Sequence, residues 1–77
     1  MITGNQIRAG RALIKWSAND LANASGIGIT TIRRLEVIEG IPSAQTRILA
    51  GIKKTLEDNG VEFIGAADDR PGVRLKA

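Results

Sequence analysis

The stretch Ser17-Ala18-Asn19-Asp20-Leu21-Ala22-Asn23-Ala24-Ser25-Gly26-Ile27-Gly28-Ile29-Thr30-Thr31-Ile32-Arg33-Arg34-Leu35-Glu36 decides the fold. Its small and apolar residues fall where two helices joined by a tight turn must place them. Ser17 is a helix cap whose hydroxyl accepts a backbone N–H three residues on, and Asp20 is favoured beside the positive helix end. Leu21 and Ala22 face inward, with Ala22 at the crossing point, where a larger side chain would hold the helices apart. Gly26 ends the helix, because glycine takes the left-handed conformation without a Cβ clash. Ile27 plugs the turn into the core. A second helix over 29–37 buries Ile32 and Leu35 and turns Ile29, Thr30, Arg33 and Arg34 outward. This is the pattern of a helix-turn-helix. The core of any small helical domain would explain the apolar positions equally well, but not the threonines and the two arginines of the outward face.

Upstream, Thr3 and Gln6 make a capping box, which predicts a first helix from near Gly4 to about Lys15 with Ile7, Gly10, Leu13 and Ile14 inward. Trp16 fills the junction with the next helix. A base-stacking role for it is disfavoured, since the chain has only two aromatic residues and the junction needs a core. Downstream, Gly40 and Pro42 break the helical pattern, Ser43 is read as the cap of a fourth helix, and Ile48, Leu49, Ile52 and Leu56 give it an amphipathic stripe ending at Asn59-Gly60. Lys53 and Lys54 lie off that stripe and read as a solvated face.

With these flanking helices in place, residues 3 to 58 resemble the phage-repressor-like, xenobiotic-response-element type of helix-turn-helix transcription regulators. The Leu21-Ala22, Gly26, Ile32 and Leu35-Glu36 pattern carries the resemblance. It implies that the helix over 29–37 lies in the DNA major groove. By the same resemblance Arg11, on the first helix, pairs with Glu36 in a structural salt bridge; two independent surface charges are the alternative. The family's reading positions fall on Ile29, Thr30, Arg33 and Arg34. Arg34 is the expected base reader, because a guanidinium donates twice to guanine O6 and N7, and Ile29 and the Thr30 methyl suit thymine methyls. Thr31 and Arg33 are expected on phosphates. The sequence departs from the family in two places. Ala18 stands where relatives often carry an anchoring Gln, leaving Lys15, Ser17 and Asn19 as partial substitutes. No Lys or Arg occurs from Val37 to Thr46, where relatives often clamp phosphate, and Arg47 is the nearest base.

The tail changes character. Val61-Glu62-Phe63-Ile64 is strand-like, Asp68-Asp69-Arg70-Pro71-Gly72 reads as a turn cluster, and Val73-Arg74-Leu75 is strand-like again, so 61–76 forms a β-hairpin. Two strands alone are marginal and need cover from their own helices or from a second subunit. Dimerisation is the preferred expectation, and a wing touching the minor groove is the alternative.

The expected fold class is therefore mainly α: a single domain over 1–77, with a four-helix, phage-repressor-like helix-turn-helix DNA-binding core followed by a short C-terminal β-hairpin. With 77 residues, 43% of them hydrophobic, the core is small enough that a partner subunit would help. The chain has no Cys and no His, which removes disulfides, the usual zinc sites, histidine acid–base catalysis and thiol chemistry. No cofactor and no enzymatic activity are expected. The net charge of +3 fits a nucleic-acid partner and many other small proteins. It is spread evenly: residues 1–40 carry five basic against three acidic side chains, and 41–77 carry six against five. No apolar run reaches the ~20 residues of a membrane span, and a cytoplasmic protein is expected. The leading functional expectation is a small dimeric repressor on a palindromic double-stranded operator. The alternative is a protein-interaction module of antitoxin or antiactivator type that binds DNA weakly or only with a protein partner.

Overall fold

Thr3 opens the first helix. In the computed structural model, which describes residues 1–76, its hydroxyl accepts the Gln6 N–H at 3.0 Å and Gln6 Oε1 accepts the Thr3 N–H at 2.9 Å. Two donors that the helix end would orphan are thereby satisfied. Helix α1 runs Gly4–Leu13, two residues short of the expected Lys15. Lys15 instead takes a left-handed φ of 61°. Its N–H bonds Ala12 O and the Trp16 N–H bonds Arg11 O, the two bonds of a Schellman ending, here built without glycine. Leu13, expected inward, falls at the margin of the stripe of Ile7, Gly10 and Ile14 and is 38% exposed. Trp16 packs against the core, as its junction position requires.

Ser17 and Asp20 form a second capping box, at 3.0 and 2.8 Å, and α2 runs Ala18–Ser25. Gly26 follows with φ 76°. A turn over 26–28 leads into α3, Ile29–Glu36, which buries Ile32, Leu35 and Glu36. Helix α4, Thr46–Asp58, buries Leu49, Ile52 and Leu56. Its N-cap is Gln45, with no side-chain cap bond, so Ser43 is not the cap. Pro42 and Ala44 tuck inward on either side of Ser43, which holds it in a bend too far upstream to reach the first-turn donors of α4. Lys53 is also less solvated than expected, because its ammonium lies 6.0 Å from the centroid of the Phe63 ring.

Strands β1, Val61–Ala66, and β2, Asp69–Leu75, pair antiparallel, with Val61 opposite Leu75 and Phe63 opposite Val73. The turn is Ala67-Asp68, not the whole Asp68–Gly72 cluster. Between the Ile64–Gly72 and Ala66–Asp69 pairs, Gly65 alone faces both Arg70 and Pro71. That bulge explains the misread turn: it accommodates a proline without an N–H inside a strand, with Gly65 at φ 73° and Arg70 at φ 53°. Across the strands Arg74 donates to both carboxylate oxygens of Glu62 at 3.0 Å. The bonded guanidinium holds the Glu62 carboxyl below its ordinary pKa. The associated stability is present above the unfolded pKa and is lost as pH falls through the lowered folded one. The pair is open to water, so salt screens it.

The hairpin's cover comes from its own helices. Gln6 Nε2 donates to Gly72 O at 3.0 Å and more weakly to Ile64 O, and a Cβ on Gly10 would touch Val61 and Leu56. Ile7, Leu21, Leu35, Ile52 and Val61 are almost wholly excluded from solvent, so helices and hairpin share one core. Among the described residues no helix is long and apolar enough to cross a membrane.

Candidate nucleic-acid interface

Helix α3 is two turns long and amphipathic. At 100° per residue, Ile32, Leu35 and Glu36 fall on one side, and these are its buried residues. Thr30, Arg33 and Arg34 project from the opposite side and are exposed, while Ile29 and Thr31 lie on the flanks, half-buried. Ile29 therefore offers only part of its side chain to any ligand. Arg33 makes no hydrogen bond or ion pair within the described residues. The Arg34 Nη1 donates to the Ser43 carbonyl at 3.2 Å, which leaves the rest of its planar donor fork free. The ion pairs of the described residues engage Arg11, Lys54, Arg70 and Arg74. The positive charge on the outer face of α3 is thus uncompensated.

Lys15, Ser17 and Asn19 are all exposed at the α1–α2 corner. The Ser17 oxygen is occupied as acceptor of the Asp20 N–H, yet its hydroxyl proton remains available for donation. No hydrogen bond links this corner to the outer face of α3. Arg47 is also exposed, in the first turn of α4, where its Nε donates to Gln45 Oε1.

A part-buried clasp ties the C-terminal end of α3 to α1. Arg11 donates through Nε and Nη2 to the two Glu36 oxygens, both at 2.8 Å, and through Nη1 to Trp16 O at 3.0 Å. The Glu36 side chain is 8% exposed and that of Arg11 21%. The Glu36 hydrogen bond, against an opposing desolvation and with the charge of Glu36 adding to it, raises the Arg11 pKa. A carboxylate at a helix C-terminus opposes the macrodipole. Arg8 offsets this by donating to the Glu36 carbonyl at 2.8 Å while also bonding Asn5. The pairing of Arg11 with Glu36 is as the resemblance implied. The contributions of Arg8 and of the Ser43 carbonyl were not legible, because each is a backbone contact across an unknown tertiary distance.

No protein-family model and no curated protein matches the chain.

Proposed function

We propose that this protein is a sequence-specific double-stranded-DNA-binding transcription regulator, a small dimeric repressor that places α3 in the major groove as the second helix of a helix-turn-helix. The observation that carries the reading is the outer face of α3, where Thr30, Arg33 and Arg34 are exposed and no carboxylate neutralises the arginines. A short rigid helix presenting hydroxyl and guanidinium donors suits base edges and phosphates together. Lys15, Ser17 and Asn19 supply phosphate contacts at the corner, and Thr31 does so from the flank of α3. A dimer would space two such helices by one turn of DNA, so the operator is an inverted repeat with half-site centres ~10 bp apart.

The test is enrichment of duplexes from a random library at near-physiological salt. A recovered palindrome supports the reading, and salt-sensitive binding without enrichment overturns it. On a recovered operator, Arg34→Ala is expected to relax preference at one base pair, with a loss of about 1–3 kcal/mol of discrimination. Arg33→Ala should weaken all sequences alike and reduce the salt slope by about 1. Equal losses on every sequence for both variants would remove the distinction.

A second reading is a protein-interaction module that holds a partner along the hairpin. It is favoured by the two-stranded sheet, whose outer edges have no strand beside them among the described residues, and by the basic-residue gap from Val37 to Thr46. The same library selection separates the two, since an interaction module yields no operator.

A further inference from the structure

Val37 is the most exposed large apolar side chain of the protein, at 72%. Nothing in the fold accounts for it there: it covers no part of the core, and a β-branched residue is a mediocre choice for a helix end. Its backbone is right-handed helical, φ −81° and ψ −9°, so its side chain continues the periodicity of α3 beyond Glu36. Seven residues, close to two turns, separate it from Thr30, and the two share a line down the middle of the outer face with Arg33 and Arg34 on either side. That face thus presents a methyl, two guanidiniums and then a pair of methyls, over a rise of about 10.5 Å.

We infer that Val37 is a specificity-determining residue that reads the C5-methyl of a thymine at the far end of the half-site from Thr30. The inference rests on the duplex-binding reading above and deepens it. The uncompensated arginines on the same face select an anionic partner, and within a duplex the thymine methyl is the apolar group that the major groove displays. At about 3.4 Å per step along a strand, the rise between Thr30 and Val37 corresponds to about three base steps. The half-site is therefore predicted to carry a thymine on each side of the pairs that Arg33 and Arg34 approach.

The experiment uses the full chain and the operator recovered from the random library. Each thymine of a half-site is replaced in turn by deoxyuridine, which removes only the methyl, and binding is measured for wild type, Val37→Ala and Val37→Thr. Val37 is exposed, so both variants keep the wild-type melting temperature. One thymine is expected at which uracil weakens wild type about fourfold, the worth of one buried methyl group. The same change should be silent in Val37→Ala and largely retained in Val37→Thr, which keeps one methyl. If an operator is recovered but no thymine shows a loss that depends on Val37, the inference is overturned and the duplex reading stands. If Val37→Ala instead binds every duplex as wild type does but loses capture of a protein partner, the apolar end of α3 is a protein contact, and the inference is again overturned. If no operator is recovered, the duplex reading fails and the inference with it.

Discussion

Glu36→Ala is expected to destabilise the protein by about 3–5 kcal/mol, the range for breaking a buried ion pair by removing one partner. The loss comes from what is left behind. Arg11 keeps its bond to the Trp16 carbonyl, but two of its donors lose their acceptor on a side chain that is only 21% exposed. A charge stranded in that position costs more than the pair contributed when intact. For a chain of this length the whole stability is on the order of 4–12 kcal/mol, so one substitution removes a large fraction of it. A small domain loses about 4–8 °C of melting temperature per kcal/mol, and a fall of more than about ten degrees follows. A melting temperature equal to wild type would refute the clasp. Two further variants separate its parts. Glu36→Gln keeps the volume and one acceptor and should fall between the two. Arg11→Met combined with Glu36→Leu removes both charges and should recover much of the loss, since apolar replacement of a whole buried pair is often neutral or better. Glu36 lies on the buried side of α3, so at temperatures where Glu36→Ala remains folded its duplex affinity should change little compared with Arg34→Ala.

The clasp also shows where a sequence is legible and where it is not. Four helices and a terminal hairpin were readable because each announces itself locally: Thr3 and Gln6 at one cap, Ser17 and Asp20 at another, Gly26 at the turn, and period-2 apolar residues flanking Pro71-Gly72. The outer face of α3 was readable because helical periodicity alone separates Ile32 and Leu35 from Thr30, Arg33 and Arg34. Failures arose where a local rule met a tertiary one. Ser43 has the chemistry of a cap, but the inward pull of Pro42 and Ala44 displaces it, and its carbonyl serves Arg34 instead. Lys15 continues a helical composition, yet the docking of Trp16 draws the chain into a left-handed ending at Lys15. The cluster Asp68–Gly72 has every residue of a turn and is spent mostly on a bulge. Gln6 was visible as half of a capping box and invisible as the donor that ties α1 to both strands, because nothing local encodes a partner 58 or 66 residues away.

The second large effect is expected at Gly4, and its sign runs against helix propensity. Gly4 is the first residue of α1, where alanine is ordinarily favoured over glycine by up to about 1 kcal/mol. Here a Cβ would overlap the carbonyl oxygens of Leu35 and Ile38. Both are backbone atoms at the end of α3, and neither can swing aside as a flexible side chain would. The Gly4 N–H is also held to the Gly40 carbonyl at 3.0 Å, so the helix start cannot back away without losing that bond. Overpacking of this kind costs about 1–3 kcal/mol and sometimes more, and here the strain falls on the junction that Arg8 and Arg11 also brace through Glu36. Gly4→Ala should therefore lower the urea midpoint by the equivalent of about 1–3 kcal/mol, with an unchanged slope. Gly51 supplies the control within the same protein. It lies inside α4, and its added Cβ would meet nothing within 4 Å. Gly51→Ala should raise the midpoint by the equivalent of about 0.5–1 kcal/mol. A Gly4→Ala midpoint that rises, as that of Gly51→Ala does, would show that helix propensity, and not the close approach of α1 to the end of α3, governs Gly4.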